Sequence, residues 1–251
     1  MIRVLIGDIF ESDAHTLVNT VNTVGVMGKG VALGFRKHFP EMYEDYVRRC
    51  ERHEVLLGQP YLYRRVVAPH IINFPTKEHW RSVSRISDIV EGLNFLKAHI
   101  AEWGVRSLAV PPLGCGEGQL EWRVVGPTLY RGLSELGIPI ELYAPFGTPQ
   151  AELRPEFLEP AKQIEVSVPL PMSSPPFRIE PGWVALAVIL ERAMGERYHF
   201  PIGRIGFQKL AYFATEAGIP TGLVYRKGSY GPYSAEVKHV LSRLINNGLI
   251  V

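Results

Sequence analysis

Long apolar runs, an excess of charge of one sign, paired cysteines and internal repeats are all missing from this chain of 251 residues. Nothing approaches the roughly 20 consecutive apolar residues that a membrane-spanning helix needs. Val4-Leu5-Ile6 gives way at Gly7-Asp8, well short of the apolar region of a signal peptide. Insertion in a membrane is therefore not expected, and a cytoplasmic location is. Cysteine occurs only at Cys50 and Cys115, too far apart for a zinc site or a disulfide framework, which agrees with a reducing compartment. The 27 basic and 25 acidic residues leave a net charge of +2, so no bulk field draws in nucleic acid or an anionic membrane. Any contact with nucleic acid has to be local. No self-similarity at a period of about 20–50 residues marks a solenoid or an array.

What is present is enough apolar material to build more than one core. At 46% hydrophobic, a chain of this length is expected to form one large or two medium domains. Residues 1–144 alternate between strand and helix patterns. Ile2–Ile6 and Thr16–Val21 read as short buried strands, and residues 30–50 as a helical stretch broken at Pro40. His70–Phe74 reads as a strand ended by Pro75. Ile86, Ile89, Val90, Leu93, Leu96 and Ile100 recur at helical spacing, with Ser84 as N-cap and Gly104 past the end. A strand at Ser107–Val110, a loop at Pro111–Gly118, a helix over Trp122–Glu135 and a strand at Ile138–Tyr143 follow. The succession predicts an α/β sheet with crossover helices.

Nine of the 20 prolines fall between Pro145 and Pro181, in a stretch without apolar period that reads as a semi-rigid linker. The expected organisation is a first domain at 1–148, a Pro-rich linker at 149–182 and a second domain at 183–251. Residues 183–251 carry 8 basic and 4 acidic side chains, which makes the second domain mildly basic. Its helices are expected at Trp183–Met194, Phe207–Ala217 and Ser234–Asn246. Gly248 closes the last of these, and Leu249-Ile250-Val251 reads as a strand just beginning, so this domain is expected to be truncated.

Chemistry-bearing residues cluster where strands end. Asp8 and Ile9 follow the first strand immediately, the position at which α/β sheets bind ligands; a carboxylate there can accept from an amino group such as that of adenine, or can simply serve the turn. Asn19-Thr20-Val21-Asn22 puts two amides on a strand end, and Asn22 can present one to ribose hydroxyls. Gly25 to Ala32 is a glycine-rich turn into a helix, where backbone N–H groups can approach an anion; Lys29 within it is expected to be solvated. Leu113-Gly114-Cys115-Gly116-Glu117-Gly118-Gln119 is a second such loop, and its three alternate glycines make a nest for diphosphate oxygens. It is neither a Walker loop nor GxGxxG, which disfavours nucleoside triphosphate chemistry. Cys115 has no sequence partner to activate it as a nucleophile and is expected to pack.

In order and spacing, Gly7-Asp8-Ile9, Asn19 to Asn22, Gly28 to Ala32 and Gly114 to Gly118 resemble the macrodomain family. Asn73-Phe74-Pro75-Thr76-Lys77, together with Gly114-Cys115-Gly116 followed by Leu120 and Trp122, is most similar to the branch containing the terminal ADP-ribose protein glycohydrolase and the DarG antitoxins. The resemblance implies a three-layer α/β/α domain with a mixed sheet that holds ADP-ribose without cofactor or metal. It places Asp8 and Ile9 near adenine, Asn22 with Thr20 and Val21 near the distal ribose, and Val31, Ala32, Leu33, Gly34 and residues 113–119 on the diphosphate. It also implies a catalytic lysine at Lys77; such an amine acts only near its neutral form, which desolvation favours. The protein-directed enzyme of this branch carries an acid where this chain has Gly118. Glu117, one position earlier, can substitute for it or simply be exposed.

That departure, and the likeness to DarG antitoxins, imply removal of ADP-ribose from a thymine in single-stranded DNA, with a DarT-type ADP-ribosyltransferase toxin as partner. Lys209 to Ala214 with Tyr230-Gly231-Pro232-Tyr233-Ser234 resembles the SocA-like, or Panacea, domain of antitoxins, which implies toxin neutralisation. Two alternatives stay open: a non-catalytic ADP-ribose reader, and a DNA-binding autorepressor that uses Lys238, His239 and Arg243 on a recognition helix.

Overall fold

The computed structural model describes residues 1–159, 179–195, 202–228 and 231–250, and the chain divides into a unit at Met1–Val168 and a unit at Pro169–Val251. In the first unit, β1 (Ile2–Leu5), β2 (Thr16–Asn22), α1 (Gly30–His38), α2 (Pro40–Glu51), β3 (Tyr61–Tyr63), β4 (His70–Lys77), α3 (Ile86–His99), β5 (Leu108–Val110), α4 (Trp122–Ser134), β6 (Ile140–Tyr143) and α5 (Pro155–Leu158) follow in order. The six strands form one sheet in the order β1-β6-β5-β2-β4-β3. Every neighbouring pair is parallel except β3 with β4, so the sheet is mixed, as expected.

Side chains of the central strands alternate between two cores, the period-2 signature of a sheet covered on both faces. Val18, Ile72, Phe74, Leu108, Val110 and Leu142 join the core that includes Ile89, Leu93, Leu96, Val125 and Leu129 of α3 and α4. Leu17, Val21, Ile71, Ala109 and Tyr143 join Phe35, Met42 and Tyr46 of α1 and α2. The three-layer architecture follows from that alternation. Pro40 opens α2 at a first-turn position, where its missing N–H costs nothing.

Three features depart from the sequence reading. Pro75 does not end its strand: β4 runs on to Lys77. Pairing with β3 stops at Tyr61 opposite Asn73, so on that side no ladder bond is asked of Pro75. Ser84 does not cap α3, which begins at Ile86 after Arg85. Residues 149–159 pack onto the first unit rather than starting a linker: Leu158 is fully buried, Leu153 and Phe157 lie against the same core, and Glu152 bonds Arg123 at 2.7 Å. The rest of the expected linker lies largely at 160–178, outside the described residues.

The second unit contains α6 (Pro181–Gly195), α7 (Arg204–Glu216), a hairpin of β7 (Arg226–Gly228) and β8 (Gly231–Tyr233), and α8 (Val237–Asn246). Leu186, Leu190, Phe207, Ala211, Val240, Leu241 and Leu244 form its own core. The helices fall close to their expected positions; the hairpin has no counterpart in the sequence reading, because its short strands are largely exposed and lack an apolar run. Tyr230 and Val251 lie outside the described residues, and Leu249 and Ile250 are not in a strand. No helix among the described residues is long and apolar enough to cross a membrane.

Candidate active site

Because β1, β6, β5, β2 and β4 are parallel, their carboxyl ends share one edge of the sheet. Asp8, the Asn22–Gly34 segment, Lys77 and the 113–119 loop are thereby gathered along that edge. Asp8 is exposed and caps a short 3-10 turn at Ile9–Glu11 by accepting from Phe10 N at 3.0 Å. Ile9, Val21 and Leu113 are buried core side chains, so only their backbones can face a ligand. Thr20 pairs with Thr76, hydroxyl to hydroxyl, at 3.0 Å.

Asn22 departs from expectation. Its Nδ2 donates to Val26 O at 2.6 Å, and its Oδ1 accepts from Val24 N, Val26 N and the Tyr46 hydroxyl. Tyr46 OH also donates to Asn22 O at 2.8 Å. The amide thus shapes the 23–27 turn. Tyr46 has no sequence signature beyond helical periodicity, and pattern reading gave it no role here.

Val31, Ala32 and Leu33 lie in the first turn of α1 and Gly34 just beyond it, and the N-cap Lys29 makes no side-chain capping bond; a helix N-terminus of this kind suits an anion. Gly34 has another reason to be glycine, since a Cβ there would lie 2.5 Å from the Phe10 ring, which stacks on His38.

In the second loop, the amides of Cys115, Gln119 and Leu120 turn inward, onto Pro112 O, Gly116 O and Gly114 O at 2.9–3.0 Å. The Cys115 and Gln119 amides are thereby engaged within the loop, where an anion nest is expected over residues 113–119. Gly114 and Gly118 are buried, whereas Gly116 and Glu117 are exposed at the lip. A Cβ on Gly118 would run into Ser84 Oγ and lie 2.5 Å from Gly114 O, and Ser84 N donates to Gly118 O at 2.9 Å. Ser84 therefore fixes this loop, and position 118 has no room for a side chain of any charge. A Cβ on Gly116 would meet nothing within 4 Å. Burial pushes the Cys115 thiol up to about 12, so it is protonated at neutral pH and is no nucleophile.

Lys77 reaches this loop. A bulge at Thr76 puts Val21 opposite Pro75 and Asn22 opposite Lys77, and bulges of this kind re-aim the next side chain. Lys77 is partly buried, and its Nζ donates to Glu117 O at 3.0 Å. An amine, a glycine-rich lip and an uncapped helix start thus stand on one sheet edge.

In the second unit, two of the three residues considered for a recognition helix, all of them partly buried, lie against one aromatic ring. His239 lies edge-on to Trp183, and the Arg243 guanidinium is 5.5 Å over the same ring.

Sheet order, crossover helices and the two loops define a macrodomain, and residues 18–129 match the Macro domain family model. The structure titled macrodomain of Mycobacterium tuberculosis DarG is 44% identical with a TM-score of 0.56, over 58% of this chain and 98% of that one. The chain belongs to the macrodomain family, in its DarG group. A Thermus aquaticus protein named DNA ADP-ribosyl glycohydrolase is 42% identical over 250 residues, 97% of this chain and 64% of that one. The structure titled Thermosipho africanus DarTG in complex with ADP-ribose is 40% identical with a TM-score of 0.61, over 63% of this chain and 46% of that one. This chain spans just under two thirds of the length of the Thermus relative.

Proposed function

We propose that this protein is a cytoplasmic antitoxin that removes ADP-ribose from thymidine in single-stranded DNA by hydrolysing the N-glycosidic bond. One observation carries the reading: Lys77 Nζ donating to the Glu117 carbonyl, at the lip of the glycine-rich loop. The names of the Thermus and Thermosipho relatives agree with it.

In this reading Asp8 accepts from the adenine amino group. The N-terminal turn of α1 at Val31–Leu33 and the exposed backbone at Gly116 and Glu117 hold the diphosphate, whose charge the helix end favours. Asn22, with Tyr46 behind it, positions the turn beside the distal ribose. Lys77 supplies the amine at the anomeric carbon. Position 118 excludes a carboxylate sterically, so no acid acts on the leaving group from there. The second unit, with a core of its own, binds the DarT-type toxin.

The test offers the full chain two substrates, an oligonucleotide carrying ADP-ribosylated thymidine and a protein carrying ADP-ribose on glutamate. Free ADP-ribose is expected from the first and little from the second. Release from neither, with ADP-ribose still bound, would leave a reader rather than an enzyme.

A further inference from the structure

The segment between Lys77 and Arg85 is fastened at both ends to the loops of the candidate site. At its start, Glu78 O accepts from Thr23 N at 3.1 Å and from Thr23 Oγ1 at 2.9 Å, which ties it to the Asn22 turn. At its end, the Ser84–Gly118 bond ties it to the glycine-rich loop. Between these anchors a tight turn closes, with Ser82 N on His79 O at 2.9 Å and Arg81 N on His79 Nδ1 at 3.2 Å. The segment is a held rim beside Lys77.

What this rim carries is unusual for a turn. Trp80, three residues beyond Lys77, is 44% exposed. The Arg81 guanidinium stands 4.4 Å from the centroid of its ring, and the His79 ring lies 5.1 Å away on a tilt. Arg81 and Arg85 are exposed, and residues 79–85 contain no carboxylate, the nearest in sequence being Glu78 and Asp88, the latter within the field of Arg85. In a chain whose overall charge is nearly balanced, this is a local cationic and aromatic patch, the combination that binds single strands by base stacking and phosphate contact. Burial in the core does not explain the tryptophan, since its exposed area is large and the cores of this unit are assembled without it.

We propose that Trp80, backed by Arg81 and flanked by Arg85, is the platform for the DNA strand beside the modified nucleotide. One neighbouring base stacks on the indole, and the two arginines face its phosphates. The proposal rests on the glycohydrolase reading for its substrate. It adds the contact that distinguishes a nucleotide within a strand from an isolated ADP-ribosylated nucleoside.

The experiment compares wild type, Trp80→Ala and Trp80→Phe on ADP-ribosylated thymidine within a short single-stranded oligonucleotide and on the ADP-ribosylated mononucleoside. With Trp80→Ala, KM for the oligonucleotide is expected to rise about tenfold, the loss of one base stack, while kcat and the mononucleoside KM stay at wild-type values. Trp80→Phe restores most of the loss, since a smaller ring still stacks. Arg81→Gln with Arg85→Gln makes the oligonucleotide KM less sensitive to salt, as expected when phosphate contacts are removed. An unchanged affinity for ADP-ribose shows that each variant is folded.

Equal oligonucleotide KM for wild type and Trp80→Ala would overturn the platform. So would an equal rise on both substrates, which would put Trp80 at the ADP-ribose itself. If wild type released nothing from either substrate, the glycohydrolase reading would fail on its own. Anisotropy of the same labelled oligonucleotide would then decide the platform: weaker binding by Trp80→Ala supports it, and equal binding overturns it.

Discussion

Lys77 Nζ donates to the main-chain oxygen of Glu117 at 3.0 Å, which joins the end of a parallel strand to the lip of the glycine-rich loop. The bond is to the carbonyl, so the tether survives any change of the Glu117 side chain. Glu117→Gln is therefore expected to keep the loop and its ADP-ribose affinity. A fall in release rate with unchanged Kd would make the exposed Glu117 carboxyl the acid of the reaction; an unchanged rate leaves Lys77 acting as an amine without an acid at 117.

The glycines at 116 and 118 are expected to behave differently. Gly118→Ala forces a Cβ against Ser84 and Gly114, with an expected cost on the order of 1–3 kcal/mol, as for overpacking, seen as a lower Tm and loss of ADP-ribose binding. Gly116→Ala meets no protein atom and leaves Tm unchanged, yet it weakens ADP-ribose binding if the diphosphate approaches there. Calorimetric titration of both variants reads the contrast directly.

Tyr46→Phe removes the hydroxyl that holds both Asn22 O and Asn22 Oδ1. The expected loss of stability is about 1–2 kcal/mol, with weaker ADP-ribose binding from a residue proposed to position the turn rather than touch ligand. Thermal denaturation alongside titration checks this. A stable variant with normal affinity would remove Tyr46 from the account of the site.

Far from the site, at the opposite edge of the sheet, His15 and His70 meet edge to face at 4.8 Å. Desolvation lowers both pKa values from 6.5, aided by Arg106 for His15 and by Arg64 for His70. Their Nδ1 atoms also accept main-chain N–H bonds from Arg106 and Arg65, which protonation would remove. The unfolded chain therefore binds these protons more readily than the native one. Stability is full above the unfolded value near 6.5 and falls as pH drops below it. The urea midpoint is expected to decrease between pH 7.5 and 5.5, and His15→Gln with His70→Gln should flatten that slope.

Legibility of the sequence followed periodicity. The long helices and the buried strand at Thr16–Asn22 are visible because apolar residues recur over several residues, and Leu108–Val110, though short, because it is wholly apolar and bounded by a turn-rich loop. The strands at Tyr61–Tyr63 and Arg226–Gly228, neither of which is buried, are not, and neither is the packing of Leu158, because only tertiary contacts give a proline-rich segment a place. At the site, residue types single out loops that the fold brings to one sheet edge, but not the bonds made within them. Asn22 reads as a ligand contact from its type, while the bonds of its side chain to Val24, Val26 and Tyr46 are invisible in the sequence. Ser84 reads as a helix cap until its N–H is found on Gly118. Gly118 reads as a missing acid, whereas its surroundings admit no side chain at all.

The most direct test of the central claim measures two quantities on Lys77→Ala and Lys77→Arg: the Kd for ADP-ribose and the single-turnover rate of release from ADP-ribosylated thymidine in a single strand. With Lys77 as the catalytic amine, both variants bind ADP-ribose within about threefold of wild type and release it at least about 100-fold more slowly. Arginine fails because its guanidinium keeps its proton, although it retains a donor for Glu117. Release by Lys77→Ala at the wild-type rate would contradict catalysis by Lys77 and leave the domain a reader of ADP-ribose.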